Sequence, residues 1–396
     1  MIDDLENMLK DGQAESVVGL AEHGVEAVEE AMQYVDDSDG CLGGCLYRLQ
    51  ELHFEACERA RPDPEDLAER LFDLEIESDF DAFYGAAATY ADILGPVGLA
   101  AYRRLAEAAW AGLPELGPGD DDPDRDGRRG IITGIMTALT EGAGDLDALV
   151  AIKSRDLSTP QDFLDIARIY RDSGDHDQAL DWAERGFRAF PKVPHGQGLR
   201  SFIADEYQRR GRHEDALTLI WRAFETDPSL RTYQDLHAYA GRAGSWPEWR
   251  DRALSAIRDR MAAASPPPDR QGTWWRGAFH DHSLLVEIFL DEDDAEAAWR
   301  EAETGGCDGR LWLRLARARE RRHPDDAVRV YRAQVDRLLR DTGNRVYEEA
   351  VGLLARIEPL LVRRGKAADF ADLIAGIRDT HRRKRNLMRA LDDKDW

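Results

Sequence analysis

The chain has 396 residues, 43% hydrophobic and 33% charged, with ten Trp, eleven Tyr and twelve Phe; that balance excludes a disordered polymer and leaves material for a large core. The formal net charge of −25 is uneven, because residues 1–150 hold 35 acidic and 10 basic side chains while residues 151–396 hold 43 of each. An acidic first part repels nucleic-acid phosphate and attracts basic partners, although its plainest role is to keep helix faces solvated.

The opening MIDDLENMLKDG is acidic and lacks the apolar stretch of a secretory leader. The longest apolar runs, such as Leu284–Leu290, fall far short of the ~20 residues that cross a bilayer. The expectation is a cytoplasmic protein with no membrane partner.

Residues 1–113 read as an acidic helical lobe. Leu46, Leu49, His53 or Phe54, and Ala56 recur at helical spacing over 46–60. Pro64 with acids around it starts another helix, and the Ala- and Leu-rich stretch 98–113 has strong helix propensity. Cys41, Cys45, His53 and Cys57 form two pairs one helical turn apart, which leaves a zinc site open. Their spacing is not that of a zinc knuckle, so core packing is the expectation and no metal or cofactor is assigned. Residues 114–130, rich in Pro, Gly and Asp without periodicity, read as a linker or loop.

Residues 131–396 carry a repeat. The string RIYRDSGDHDQALDWAERGFRAFP from Arg168 returns as DEYQRRGRHEDALTLIWRAFETDP from Asp205, with Tyr170, Gly174, Ala179, Leu180, Phe187 and Pro191 each echoed 37 residues on. Phe163, Ile166, Ala167 and Tyr170 form one helix face, and Gly174 ends that helix as a left-handed cap. Ala179, Leu180, Ala183, Gly186 and Phe187 make the stripe of a second helix, with Ala179 and Gly186 small enough for close approach. Pro191 stops it. A third copy is marked by Leu236, Ala240, Gly244, Trp249 and Ala253, and Ala297 and Ala327 head two further second helices. That makes about five hairpins between 160 and 340. Breaks fall at Ala262–Trp275 and Glu303–Gly309. No stretch alternates as a strand does, so the fold class expected is all-α, an α-solenoid behind an acidic helical lobe.

The spacing of Tyr170, Gly174, Ala179 and Pro191 resembles the tetratricopeptide repeat, with a longer period than that family's ~34 residues and no Trp at the first-helix start. In that family the first helix of each hairpin lines a concave binding surface. The resemblance therefore assigns to this surface Arg168, Arg171 and Asp172, then Asp205, Gln208 and Arg209, then Gln234 and Arg242. Their mixed charge implies a polar or charged peptide ligand.

Longer strings, among them YVDDSDGCLGGCLYRLQELHFEACERARPDPEDLAERLF, the Asp145–Pro191 segment, HDHSLLVEIFLDEDDAEAAWREAE and HRRKRNLMRALDD, resemble a bacterial family of uncharacterised helical-repeat proteins. They are similar also to the C-terminal region of bacterial SWIM zinc-finger proteins. The resemblance runs from about Tyr34 to Asp393 and implies no enzyme chemistry. A SWIM finger needs Cys-x-Cys and Cys-x-His, and this chain has neither, so the finger's contacts are not implied.

Other candidates have bland readings. His280 and His282 flank Asp281 at a helix start, where a metal would need a third ligand. Trp246, Trp249, Trp274 and Trp275 are expected in the core before an exposed peptide site. Arg382, Arg383, Lys384, Arg385 and Arg389 form a basic C-terminal patch able to meet phosphate or an acidic surface. No phosphate loop, dinucleotide fingerprint, nucleophile elbow or zinc-protease motif occurs. The reading is a non-enzymatic protein–protein interaction scaffold. The alternative is an accessory factor in nucleic-acid metabolism acting through the basic C-terminal helix.

Overall fold

The computed structural model describes residues 1–35, 37–38, 40–123, 125, 127–141, 144–191, 197–263 and 282–396. Among them every regular element is a helix, and the one β feature is an isolated parallel bridge between Leu116 and Asp156. The protein is all-α. It divides into two compact units, Met1–Arg210 and Gly211–Trp396, a division that falls elsewhere than residues 114–130.

The first unit holds α1 (Ile2–Lys10), α2 (Ala14–Met32), α3 (Cys41–Ala60), α4 (Pro64–Glu77), α5 (Ala86–Thr89), α6 (Ala91–Gly112), α7 (Arg128–Glu141), α8 (Leu146–Lys153), α9 (Pro160–Asp172), α10 (His176–Ala189) and α11 (Gln197–Arg209). One buried cluster from Leu5 to Ile152 ties α1 to α8. The start of α4 follows from its sequence. Asp63 accepts hydrogen bonds from the N–H groups of Glu65 and Asp66, and Pro64 sits where no N–H is needed. From there Leu67, Leu71, Phe72 and Ile76 face the core. The loop before α7 is strapped down: Leu116 pairs with the backbone of Arg155 and Leu157, and buried Arg129 binds Asp122 and the Pro114 carbonyl.

The repeat begins at α9. A capping box between Thr159 and Asp162, with Pro160 in the first turn, starts it. Gly174 ends it at φ +89°, and the Asp175 N–H reaches back to the Tyr170 carbonyl at 2.9 Å. Asp175 then caps α10 through the Gln178 N–H. Phe163, Ile166, Ala167, Ala179, Leu180, Ala183 and Gly186 are buried as their spacing predicts. Tyr170 and Phe187 are only half-buried, whereas Trp182, outside the expected stripe, is buried.

The second unit holds α12 (His213–Thr226), α13 (Leu230–Arg242), α14 (Trp246–Ala263), α15 (Ser283–Asp291), α16 (Ala295–Gly305), α17 (Gly309–Arg319), α18 (Pro324–Leu338), α19 (Asn344–Arg363), α20 (Ala367–Thr380) and α21 (Arg385–Asp392). Here α12 touches α13 and α13 touches α14, the helices from α15 to α20 touch in sequence order, α19 also touches α21, and α13 touches α15 as α15 touches α17. That nearest-neighbour pattern is the packing of a solenoid. Leu236, Ala240, Ala253, Ala297 and Ala327 are buried, as predicted for the later hairpins.

A polar device recurs in this unit. Glu292, just past α15, accepts from the Tyr233 hydroxyl at 2.6 Å and from two nitrogens of Arg250 at 2.7 Å. Glu320, just past α17, accepts from the Tyr331 hydroxyl at 2.6 Å and from Arg356 at 2.8 Å. Each carboxylate ends a first helix and joins it to two others, accepting from one neutral phenol and one charged guanidinium.

Candidate functional site

A concavity lies in the first unit, on α3 and the loop after α4. Residues Tyr47, Gln50, Glu51, Phe54 and Glu55 share one face of α3 by helical spacing, while Leu46, Leu49, Leu52 and Ala56 turn to the core. After α4 the backbone becomes extended at Ser78. The Ser78 hydroxyl donates to Glu29 and accepts from the N–H groups of Phe80 and Ala82. Glu75 clamps the other end, accepting from the Gly85 N–H at 2.8 Å, the Ala86 N–H at 3.2 Å and the Tyr102 hydroxyl. Burial pushes the Glu75 carboxyl above its usual range against these three donors.

Between the clamps the loop is strained. Asp81 and Phe83 hold φ of +57° and +61°. A bulky side chain in the left-handed region costs ~1–2 kcal/mol, which the two clamps offset. The strain turns the Phe83 ring inward against His53, with centroids 5.1 Å apart, and leaves Tyr84 73% exposed.

The result is a cavity of about 410 Å³. Its rings are Tyr47, Phe54, Phe83, Tyr84 and Tyr90, its carboxylates are Glu51, Glu55 and Asp81, and no cationic side chain lines it. Across Tyr84 lies a second cavity of about 370 Å³, lined by Ala87, Ala88, Leu99, Ile135 and Leu139 above Glu75 and Tyr102.

A buried network supports the floor of the first cavity. The Tyr90 hydroxyl is 2.7 Å from His53 Nδ1, His53 Nε2 is 3.1 Å from Glu22, and Glu22 pairs with Arg70 at 3.2 Å. Cys57 Sγ lies 3.7 Å from the same imidazole. Burial raises the Tyr90 phenol and pushes the Cys57 thiol up to about 12. Both stay protonated at neutral pH, so the network holds rings in place and supplies no ready nucleophile.

The four zinc candidates do not converge. Cys41, Cys45, His53 and Cys57 all lie on α3, and the ~1.5 Å rise per residue keeps Cys45 and Cys57 about 18 Å apart. Among the described residues no group of three or more His, Cys, Asp or Glu is placed to hold a metal. His280, Asp281, Trp274 and Trp275 lie outside the described residues. His282 binds Glu301 at 2.6 Å. Trp246 packs on Tyr233 and His237, and Trp249 on Trp221, inside the second unit.

The residues assigned to a concave surface fall in both units. In the first, Arg168, Arg171 and Asp172 on α9 correspond at 37 residues' distance to Asp205, Gln208 and Arg209 on α11, and α9 touches α11. The Arg171 guanidinium lies over the Phe202 ring of α11 at 5.0 Å. Arg168 pairs with Asp165 and Arg209 with Glu206 along their own helices. In the second unit, Gln234 binds Asp291 and Arg242 lies over Tyr239.

In the basic C-terminal patch, Arg382, Arg383 and Lys384 lie in the turn between α20 and α21, and Arg385 and Arg389 lie on α21. Lys384 donates to the carbonyls of Leu339 and Asp341 and lies over Tyr347, which anchors it to the preceding repeat. Arg382, Arg383, Arg385 and Arg389 remain exposed.

The aromatic–acid cavity escaped the sequence reading. Its signal was the string SDFDAFYG over 78–85, aromatic and acidic together and without helical period.

The model of the family described as "Family of unknown function (DUF6880)" matches residues 22–242, more than half of the chain and all of the cavity. The protein belongs to the DUF6880 family. The match also takes in α9 to α13, so the DUF6880 region contains the first repeats. No curated protein matches this DUF6880 chain. Among solved structures it is similar to a circular tandem repeat protein with novel repeat topology and enhanced subunit contact surfaces, at 14% identity, covering 100% of this chain and 90% of that one with a TM-score of 0.15. No helix among the described residues is long and apolar enough to cross a membrane.

Proposed function

We propose that this DUF6880 protein is a non-enzymatic interaction scaffold whose helical hairpins present a polar surface to a protein partner. The observation that carries the reading is the strip on α9 and α11, where six polar side chains at equivalent repeat positions sit on touching helices joined by Arg171 over Phe202. Stacked first helices make such a strip continuous, and its mixed charge suits a peptide with charges of both signs. The test is affinity capture of the tagged protein from nuclease-treated native cells, compared with an Arg168→Glu, Arg171→Glu, Arg209→Glu variant. Loss of a stoichiometric partner in the variant supports the strip; equal capture overturns it.

A second reading rests on exposed Arg382, Arg383, Arg385 and Arg389. There the chain acts as an accessory factor in nucleic-acid metabolism. Phosphate contacts of this kind weaken steeply with salt. Binding to DNA or RNA that survives neutralisation of these four arginines would exclude it.

A further inference from the structure

The geometry points to the paired cavities of the first unit as a docking site for a partner segment that carries a cationic side chain close to a large aliphatic one. The site shares no residue with the α9–α11 strip and does not depend on it.

The first cavity has the chemistry of a cation trap. Five rings line it, and an ammonium or guanidinium over a ring face is attracted by the ring quadrupole. Glu51, Glu55 and Asp81 add negative charge at the same place. Arg48 is shared among Glu6, Glu51 and Glu55, at 2.6, 2.9 and 3.8 Å, and Arg59 also pairs with Glu55 at 3.7 Å, so Glu6, Glu51, Glu55 and Asp81 outnumber the two arginines. The wider field has the same sign, since the entire excess of negative charge lies within residues 1–150. Tyr47 and Tyr84 stand 64% and 73% exposed at this cavity, where large rings ordinarily bury themselves.

The second cavity fixes the other half of the motif. Tyr84 forms part of the wall of both cavities, so one short segment spans them. Ala87, Ala88, Leu99, Ile135 and Leu139 offer aliphatic surface, and the exposed Arg103 at its edge donates to the Leu139 carbonyl. The strained loop is the hinge of the arrangement: Glu75 holds Gly85 and Ala86 from the apolar side, while Asp81 and Phe83 face the cationic side.

The test is fluorescence anisotropy of the 396-residue chain with three labelled hexapeptides, alternating Lys–Leu, Lys–Ser and Glu–Leu. The Lys–Leu probe is expected to bind, the Lys–Ser probe about tenfold more weakly, and the Glu–Leu probe not at all. Tyr47→Ala with Tyr84→Ala changes no charge and alters only exposed rings, so it leaves the fold intact; it is expected to weaken the Lys–Leu probe about tenfold or more. Asp81→Asn is expected to weaken it too. The Arg168→Glu, Arg171→Glu, Arg209→Glu variant is expected to bind the probe as the native protein does, which separates this site from the strip. Equal binding of Lys–Leu and Lys–Ser, or binding unchanged in the double Tyr variant, means diffuse attraction to an acidic surface and overturns the proposal. So does the absence of Lys–Leu binding.

Discussion

Gly186 on α10 lies so close to Phe163 on α9 that a Cβ at position 186 would stand 2.5 Å from the Phe163 Cβ. Phe163 cannot yield by rotating its ring, because its Cβ is fixed to the backbone. Gly186→Ala raises helix propensity by ~1 kcal/mol in isolation. The clash works the other way and forces the two helices apart, so a net loss of ~1–3 kcal/mol is expected. Urea denaturation followed by circular dichroism measures it; an unchanged midpoint would mean that the pair is loosely packed.

That contact was legible in the sequence because it is local. Gly186 and Phe163 belong to one hairpin, and the 37-residue echo exposes the small residues where helices approach. Gly174 was legible for the same reason, as the left-handed end of a period-3.6 stripe. The Glu292 cluster was not. Its partners Arg250 and Tyr233 lie 42 and 59 residues away, and the chain is so rich in carboxylates that none stands out. The aromatic–acid cavity was hidden more deeply. It depends on Phe83 adopting a backbone conformation that its own propensity opposes, and only the clamps from Glu75 and Ser78 impose it.

Between α15 and α16, Asp293 takes φ +57° at the kind of junction where Gly174 serves between α9 and α10. The Asp294 N–H reaches back to the Phe289 carbonyl at 2.8 Å, the same closing bond. Asp tolerates this conformation better than most residues but not without strain. Asp293→Gly is expected to stabilise the protein by ~0.5–1 kcal/mol, and Asp293→Val to destabilise it by ~1–2 kcal/mol. A higher urea midpoint for the Gly variant and a lower one for the Val variant check this; the opposite order contradicts it.

The four cysteines differ in access: Cys41 is exposed, Cys45 half-buried, Cys57 and Cys307 buried. Burial holds the Cys57 thiol at about 12, so almost none is thiolate at neutral pH. A chromogenic disulfide reagent is expected to react rapidly with Cys41, slowly with Cys45, and with Cys57 and Cys307 only on unfolding. Mass spectrometry of peptides after brief labelling reads this order directly. Rapid labelling of Cys57 in the native protein would contradict the packing of α3.

Acid should weaken the second unit through Glu292. Burial pushes its carboxyl up, but hydrogen bonds from Arg250 and Tyr233, with the Arg250 charge, outweigh burial and hold it below the usual carboxylate range. A carboxyl depressed in the folded state stabilises the fold above its unfolded value, and that contribution disappears as pH falls through the folded value. Stability should therefore fall below about pH 4. Arg250→Met removes the partner, should cost ~1–3 kcal/mol at pH 7, and should flatten the acid limb. Glu75 in the first unit has the opposite sign. Burial raises its carboxyl, so its contribution is fully present below the unfolded value and is lost as pH rises through the folded one. Urea titrations of native, Arg250→Met and Glu75→Gln proteins between pH 3 and about pH 8 separate the two. An acid limb as steep in Arg250→Met as in the native protein would place the titrating group elsewhere.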